Sequence, residues 1–308
     1  MKKELFYIGL GKMGMNMAER LAQKRWYVIG YDPSESTREE AYQRGIEVVK
    51  TIPDGVRKLS QDVRVFWIMV PHTKVDEVLY ELSDMLQAKD IVIDGGNSPF
   101  QESLRRHKEL KEKGVHYLDA GVSGGPGGAN QGACVMIGGE RDIFEEHEEL
   151  FRDISAPDAY QFLGSAGAGH FVKMIHNGIE YGMMQAIAEG FTLLKESSFD
   201  LNLVEVAKLY NQQSVIESRL VGWLQSGLER YGESLDEISG EVAQSGEGQW
   251  TVDFARQLDI RVGNIEQALE FRKASQGNPS YTGKLLSTMR NMFGGHSVEK
   301  EKTQNTQE

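Results

Sequence analysis

Two kinds of hydrophobic pattern divide the chain. Up to Gly164, short and nearly continuous apolar runs alternate with segments of helical periodicity, one of them at residues 144–151. The runs, which we predict to be strands, span residues 5–8, 27–31, 63–70, 91–93, 115–118, 133–137 and 160–163. Strands that are apolar along their whole length are typical of a parallel sheet covered on both faces. This part of the chain therefore predicts an α/β fold with a mostly parallel sheet.

After Gly164 the pattern becomes that of helices, and few strand patterns remain. Apolar residues recur at intervals of three and four, which predicts helices at residues 167–195, 201–212, 218–228, 252–258 and 264–274. The closing residues are polar and lack this periodicity. We therefore predict three regions: an α/β domain at residues 1–164, an all-α domain at 165–297 and a disordered tail at 298–308.

The longest predicted helix carries its polar groups on one side. On a wheel of about 100° per residue, the groups that can exchange protons or hydrogen bonds share one stripe: Lys173, His176, Asn177 and Glu180. Two glycines and their apolar neighbours fall roughly opposite: Ile175, Gly178, Ile179, Gly182 and Ala186. Each glycine costs a helix up to about 1 kcal/mol relative to alanine. We therefore predict that the apolar side is packed, with another backbone close to the glycines.

Composition and charge narrow the class of protein. The one cysteine, Cys134, excludes an intrachain disulfide and fits a reducing compartment such as the cytoplasm. No apolar run approaches the roughly 20 residues of a membrane helix, and the first one is too short for a signal peptide. The formal net charge of −12 argues against general nucleic-acid binding. An enzyme or binding protein for a small molecule fits best, and an anionic substrate would need a local basic pocket.

A dinucleotide fingerprint lies at the start of the chain. Gly9, Gly11 and Gly14 have the G-x-G-x-x-G spacing between a predicted strand and a predicted helix, and Asp32 ends the next strand. The turn would hold a pyrophosphate with its backbone amides; its residues are Gly9, Leu10, Gly11, Lys12, Met13 and Gly14. Asp32 would accept from ribose hydroxyls and repel a 2′-phosphate, which predicts NAD rather than NADP. The alternative is a glycine turn that only helps helix and strand to pack. With its flanks, the motif favours a dinucleotide-binding Rossmann domain.

Three further loops follow predicted strands. They contain Val70, Pro71 and His72, residues 94–98, and the glycine-rich residues 121–129. Ligands of open α/β sheets bind at the carboxyl ends of strands, so together these loops predict a site, although each could be a tight connection. Asp94 could be a metal ligand, but no second carboxylate lies at a useful spacing. We therefore predict no metal.

Several motifs together give the chain a resemblance to a known family. They are GLGKMG at residues 9–14, IDGGNS at 93–98, GVSGGPGGA at 121–129, GHFVKMIHNGIEYGMMQ at 169–185, GEGQWT at 246–251 and RNMFGGH at 290–296. On these motifs the chain resembles decarboxylating 6-phosphogluconate dehydrogenase, in its short, NAD-preferring branch. The resemblance implies metal-independent oxidative decarboxylation of 6-phospho-D-gluconate to D-ribulose 5-phosphate and CO₂ in the pentose phosphate pathway, with hydride transfer to NAD.

The resemblance also implies roles for matching positions. Lys173 matches the general base that takes the proton of the 3-hydroxyl, and Glu180 matches the acid that protonates the enediol carbon. Residues that match substrate contacts are Asn97, Ser123, Gly124, Gly125, His176, Asn177, Tyr181, Gln249, Thr251, Arg272, Arg290 and His296, the phosphate pocket being Tyr181, Arg272, Arg290 and His296. Cofactor contacts beyond the fingerprint are Val70, Pro71, His72 and Asn97. In the family, the residues matching Arg290 and His296 come from the neighbouring subunit, which implies a homodimer or tetramer whose all-α domain binds substrate and dimerises.

The sequence departs from the family pattern in places and leaves alternatives open. Gln249 stands where long relatives carry a lysine, and the second helical half of those relatives is missing. Residues 293–295, between Arg290 and His296, are predicted to form an aromatic-glycine turn that presents both side chains at one point. One alternative is a β-hydroxyacid dehydrogenase of the 3-hydroxyisobutyrate type, which needs no Glu180 acid and releases no CO₂. The other is a non-catalytic NAD-binding protein.

Overall fold

The structure, a computed structural model, describes residues 3–295 and 298. The chain divides into two compact units, the first ending at Lys173 and the second beginning at Met174. Helix α9 (Ala168–Glu196) is continuous across this division. Within the described residues, no helix is both long enough and apolar enough to span a membrane.

The first unit is built on a sheet of eight strands in the order β3-β2-β1-β4-β5-β6-β7-β8. The strands are β1 (Glu4–Ile8), β2 (Tyr27–Tyr31), β3 (Glu47–Val48), β4 (Val65–Ile68), β5 (Ile91–Asp94), β6 (His116–Ser123), β7 (Ala133–Gly138) and β8 (Ser155–Gly164). All neighbouring pairs are parallel except β6 and β7. The predicted mostly parallel sheet is confirmed.

Helices connect these strands and cover both faces of the sheet. They are α1 (Lys12–Gln23), α2 (Glu35–Gln43), α3 (Ile52–Lys58), α4 (Val75–Leu82), α5 (Phe100–Glu112), α6 (Gly125–Gln131), α7 (Arg141–Glu146) and α8 (Glu148–Ile154). Alternate residues of β1 enter different cores, with Leu5 and Tyr7 on one face and Phe6 and Ile8 on the other. Burial on both faces explains why the strands are continuous apolar runs.

Two predicted segments in this unit are wrong. Residues 121–129 are not one loop, because β6 continues to Ser123 by pairing with β7, and α6 begins at Gly125. Between them Gly124 turns the chain with a φ of +129°, which suits glycine. The helix predicted at residues 144–151 is two helices, α7 and α8, that meet at His147.

The second unit is helical, as predicted. Besides the later part of α9, it contains α10 (Leu203–Tyr210), α11 (Arg219–Tyr231), α12 (Glu247–Gln257), α13 (Gly263–Ala274) and α14 (Tyr281–Gly294). Helix α12 begins earlier than predicted, and α14 was not predicted. The turn predicted at residues 293–295 is therefore wrong, because α14 includes Phe293 and Gly294, and Gly295 is its left-handed cap. His296 and the predicted tail, apart from Val298, lie outside the described residues.

Candidate active site

The three glycines in the turn between β1 and α1 are needed for different structural reasons. A Cβ on Gly9 would lie 2.3 Å from the carbonyl oxygen of Met69, and one on Gly14 would lie 2.1 Å from that of Gly9. These two positions must be glycine for the turn to pack. A Cβ on Gly11 would meet nothing within 4 Å, and Gly11 is the N-cap of α1 without a side-chain cap. The helix N-terminus therefore faces open space, which suits a pyrophosphate.

Asp32 lies beside this turn. Its carboxylate accepts the backbone N–H groups of Leu10 at 3.0 Å and Ser34 at 2.9 Å. The guanidinium of Arg38 donates to the backbone oxygen of Asp32 at 2.6 Å. The acid at the end of β2 is thus tied to the fingerprint turn, where an adenosine ribose would place its hydroxyls.

The loop after β4 contacts two other strand-end loops. The side chain of Val70 would lie 2.8 Å from a Cβ on Gly9, and its backbone oxygen would lie 2.8 Å from one on Gly96. Pro71 precedes a short 3₁₀ turn that begins at His72. The fingerprint turn, the loop after β4 and the loop after β5 therefore meet at the carboxyl edge of the sheet.

Asp94 holds the loop after β5 and is buried. Its carboxylate accepts from the backbone N–H of Gly96 at 3.1 Å and the hydroxyl of Ser98 at 2.9 Å. It also accepts from Arg106 at 3.1 Å and Tyr117 at 3.2 Å. These bonds fix the loop that carries the half-buried Asn97. The described part of the chain contains no cluster of His, Cys, Asp and Glu suited to a metal ion.

The start of α9 is fastened to β6 through Asp119, which the sequence reasoning missed. Its buried carboxylate accepts the backbone N–H groups of Gly167 at 2.6 Å and His170 at 2.8 Å. Burial raises the pKa of this carboxyl, and His170 and the two N–H donors act in the opposite direction. An acid within an otherwise apolar strand was the available signal, because a buried charge needs bonded partners.

Lys173 lies on β6 one turn further along α9. A Cβ on Gly121 would be 2.4 Å from the Cβ of Lys173, so this strand position must be glycine. The lysine is largely buried. Ser123, at the end of β6, and Gly124 and Gly125, which follow it, are each half-buried.

In the second unit, hydrogen bonds link two residues of the polar stripe of α9 to each other and to α12. His176 Nδ1 lies 2.9 Å from Asn177 Oδ1, and Asn177 Nδ2 donates to Glu247 Oε1 at 3.2 Å. Glu180 Oε2 lies 3.9 Å from His176 Nδ1. Lys173 and Glu180 are about two turns apart on the continuous helix, so they leave it in nearly the same direction.

The prediction of a packed apolar side on α9 is wrong within the described chain. Ile179 is 52% exposed and Ala186 is also exposed, whereas Asn177 and Tyr181, which lie nearer the polar stripe, are buried. Gly178 is the exception, because a Cβ there would lie 2.7 Å from a methyl group of Thr251. That neighbour is a side chain and not the predicted backbone. At Gly182 a Cβ would meet only ordinary contacts, at 4.0 Å.

Two buried arginines lie near Tyr181. The guanidinium of Arg272 stacks 3.4 Å from the centre of the tyrosine ring. Burial and, to a smaller extent, the nearby charge of Arg290 lower the pKa of Arg272 to about 10, although Tyr181, Glu180 and Glu247 act in the opposite direction. Burial also lowers the pKa of Arg290. Guanidinium groups match the oxygens of an anion geometrically, so the two arginines are candidates for an anion site.

The other predicted substrate contacts Arg290, Thr251 and Gln249 have different surroundings. Arg290, on α14, lies close enough to Tyr181 and Arg272 of its own chain to lower the pKa of both groups. Thr251 is buried and donates to the backbone oxygen of Met174 at 3.0 Å, which ties α12 to α9. The side chain of Gln249 donates to Asp253 on its own helix at 2.8 Å.

Comparison with known proteins agrees with this arrangement. Residues 4–168 match the family described as the NAD binding domain of 6-phosphogluconate dehydrogenase, and residues 169–283 match the C-terminal domain of that enzyme. The NAD(+)-dependent, decarboxylating 6-phosphogluconate dehydrogenase of Haloferax volcanii is 37% identical over 97% of this chain and 99% of its own. A Bacillus subtilis relative, YqeC, which bears the same enzyme name only provisionally, is 44% identical over 96% of this chain and 98% of its own.

Solved structures give the same result. A structure of Plasmodium falciparum 6-phosphogluconate dehydrogenase superposes with a TM-score of 0.80 at 27% identity, over 94% of this chain and 70% of that one. A Mycobacterium tuberculosis 3-hydroxyisobutyrate dehydrogenase, with a TM-score of 0.73 at 18% identity over 94% of this chain and all of its own, shares the fold. The predicted family, the Rossmann fold and NAD as the cofactor are confirmed by these matches. The chain belongs to the 6-phosphogluconate dehydrogenase family.

Proposed function

We propose that this chain oxidatively decarboxylates 6-phospho-D-gluconate to D-ribulose 5-phosphate and CO₂, with NAD as hydride acceptor and without a metal. The observation that carries the proposal is α9, which bears Lys173 and Glu180 about two turns apart on one side. The names of the relatives from Haloferax volcanii and Plasmodium falciparum support this choice of substrate. The buried Arg272 and Arg290 give the second unit an anion-binding character that a phosphorylated acid would use.

Residues of the chain supply the proton transfers. When bound, NAD accepts the hydride from C3 of the sugar acid. Lys173 takes the proton of the 3-hydroxyl and then, as an ammonium, donates a hydrogen bond to the ketone oxygen while the carboxylate leaves as CO₂. Glu180 protonates C1 of the resulting enediol. General acid–base help of this kind contributes roughly 10²–10⁴-fold to the rate.

We assign the binding residues as follows. The sugar-acid chain contacts Asn97, Ser123, Gly124, Gly125, His176 and Asn177, and Gln249 and Thr251 of the motif GEGQWT make further substrate contacts. The phosphate contacts Tyr181, Arg272, Arg290 and His296. The cofactor contacts Gly9, Leu10, Gly11, Lys12, Met13, Gly14, Asp32, Val70, Pro71, His72 and Asn97. Since Asp32 is placed at the fingerprint turn, we propose a preference for NAD over NADP.

We further propose a cytoplasmic enzyme that works as a homodimer or tetramer, with C-terminal residues completing the neighbouring site. Large apolar side chains of α9 support self-association, because Ile179, Met183 and Leu193 are 44–73% exposed in the single chain. The domains proposed are a dinucleotide-binding domain at residues 1–164, a substrate and dimerisation domain at 165–297 and a tail at 298–308. Cross-linking and light scattering at several concentrations would test the oligomeric state.

The proposed base is tested by Lys173→Met in an NADH absorbance assay with 6-phosphogluconate. We expect turnover to fall by about 10²–10⁴-fold, with NAD binding retained because the fingerprint turn is untouched. Lys195→Met is the matched control, since this lysine lies exposed on the same helix, and its turnover should equal that of the wild type. Near-normal turnover of Lys173→Met would exclude the assigned role.

The assay should also compare gluconate and 3-hydroxyisobutyrate as substrates, each with NAD and NADP, and should measure CO₂. Turnover of 3-hydroxyisobutyrate without release of CO₂ would favour the β-hydroxyacid dehydrogenase alternative. Absence of NADH formation with every acid would favour a non-catalytic NAD-binding protein.

A further inference from the structure

We call the buried cluster of Tyr181, Arg272 and Arg290 the arginine pocket. It contains a carboxylate of its own. Glu247, the first residue of α12, is 4% exposed, and the two arginines are 2% and 8% exposed. A buried charge at this place is costly unless it interacts with charged or hydrogen-bonding groups. Glu247 is therefore not a solvated surface residue, and its charge contributes to the electrostatic potential in the pocket.

Two glycines and a hydrogen bond hold Glu247 in place. Gly246 precedes it with a φ of +101°, a left-handed conformation that suits glycine. A Cβ on Gly248 would lie 2.5 Å from the ring of Tyr181, so the first turn of α12 lies directly against that ring. The amide of Asn177 donates to Glu247 Oε1 at 3.2 Å. The carboxylate is thus fixed next to the tyrosine that stacks on Arg272.

The electrostatics of the pocket follow from this position. The charge of Glu247 raises the pKa of Tyr181, Arg272 and Arg290. For both arginines this partly offsets the lowering of the pKa that burial causes. Glu180 acts on the two arginines in the same direction. Two guanidinium groups and the two carboxylates that interact with them carry no net formal charge. A phosphate ester carries about −1.5 to −2 at pH 7, so the pocket opposes such a group more than two unopposed arginines would.

We propose that Glu247 is a specificity-determining residue that weakens the binding of a phosphorylated sugar acid relative to the unphosphorylated acid. The wild-type chain then discriminates between 6-phosphogluconate and gluconate less than its two arginines alone would allow. The proposal rests on the function proposed above, because it assigns the arginine pocket to the distal end of that substrate. The uncharged Gln249, whose amide bonds to Asp253, adds no compensating positive charge.

The test is Glu247→Gln, which keeps the acceptor for Asn177 and removes the charge. We expect the ratio of kcat/KM for 6-phosphogluconate to kcat/KM for gluconate to rise about tenfold, mainly through a lower KM for the phosphorylated acid, because unit charges at short range in a protein interact strongly. Glu237→Gln, which changes the net charge equally at an exposed position, should leave the ratio unchanged. An unchanged or lower ratio in Glu247→Gln would overturn the proposal.

Binding measurements separate this proposal from the proposed function. Calorimetric titration of 6-phosphogluconate, gluconate and inorganic phosphate into the wild type, Glu247→Gln and Glu247→Ser requires no turnover. If the wild type oxidises neither acid, the proposed function fails, but tighter binding of inorganic phosphate to both variants would still support Glu247 as the opposing charge. Weaker phosphate binding, or loss of folding in both variants, would show that Glu247 organises the arginines and would overturn the proposal.

Discussion

The contact between β6 and α9 gives the most direct test of how Lys173 is positioned. In Gly121→Ala, the new Cβ would lie 2.4 Å from the Cβ of Lys173 and 2.9 Å from the backbone oxygen of Gly169. Carbon atoms prefer separations of about 3.5–4.0 Å, and neither neighbour is the end of a flexible side chain. The helix must therefore move by about 1 Å, or the strand must bend.

The start of α9 has little freedom to make this movement. Asp119 accepts the backbone N–H groups of Gly167, just before the helix, and of His170 within it. A Cβ on Gly169 would lie 2.4 Å from the backbone oxygen of Met136, so helix and sheet are already in close contact. Overpacking in such a place costs about 1–3 kcal/mol, and we expect a value near the upper end. For a unit of this size that corresponds to a fall in Tm of about 5–10 °C.

Thermal unfolding followed by circular dichroism measures this change. Gly127→Ala is the control in the same unit, since a Cβ there meets nothing within 4 Å and α6 gains up to about 1 kcal/mol of helix propensity. Its Tm should be equal to or higher than that of the wild type. Turnover of Gly121→Ala should also fall, because a displacement of 1 Å at a catalytic group can cost about 10²-fold. If Gly121→Ala unfolds at the wild-type temperature, Lys173 does not rest on β6 as described.

Two further predictions concern the first unit. Asp32→Asn removes the charge that would repel a 2′-phosphate, so we expect the ratio of KM for NADP to KM for NAD to fall at least about tenfold; steady-state kinetics with both cofactors would reveal an unchanged ratio if the acid has no such role. Burial lowers the pKa of His147 below its ordinary 6.5, so the unfolded chain binds a proton that the folded chain does not, and the free energy of unfolding falls as the pH drops below about 6.5. The loss is at most about 1.4 kcal/mol per pH unit, and His147→Gln should remove it. Urea unfolding at pH 7 and pH 5 measures the free energy of unfolding of both proteins; an equal decrease between the two pH values in both would contradict this.

The sheet could be predicted from the sequence because each buried parallel strand is a continuous apolar run. A strand buried on both faces must be apolar at every position, so β1 and β2 are visible without knowledge of their neighbours. The bounds predicted for β2 coincide with those observed, Tyr27–Tyr31. The fingerprint was equally visible, since its spacing reflects backbone contacts that only glycine permits, as the positions of Gly9 and Gly14 illustrate.

The orientation of α9 could not be predicted in the same way. Its wheel separates a polar stripe from an apolar one, and the usual rule assigns the apolar stripe to the interior. In this chain the polar side is buried, because Asn177 has an acceptor in Glu247 and Tyr181 packs against Arg272. Those partners lie 70 and 91 residues away in sequence, and periodicity within one helix carries no information about them.

The same limit explains the errors at the glycine-rich segments. Glycines in a row suggest a loop, but Gly121 belongs to β6, where the helix α9 crosses too closely for any side chain. Near the end of the chain, Gly294 and Gly295 suggested a turn, whereas the helix continues to Gly294 and Arg290 is buried within it. A glycine is required by a positive φ or by a close neighbour, and the sequence alone does not distinguish these causes.

Three buried acids hold segments of the chain that carry proposed site residues. Asp94 and Asp119 end or interrupt apolar strands, where an unpaired charge would cost several kcal/mol. Each is compensated by donors from a segment that carries a proposed contact: the loop of Asn97 in one case and the first turn of α9 in the other. Glu247 repeats the arrangement in the second unit by bonding Asn177. A buried acid therefore predicts that some neighbouring segment is being held. Asp94, Asp119 and Glu247 hold segments that bear residues of the proposed reaction, whereas Glu4 of β1 holds Ser60, which has no proposed role.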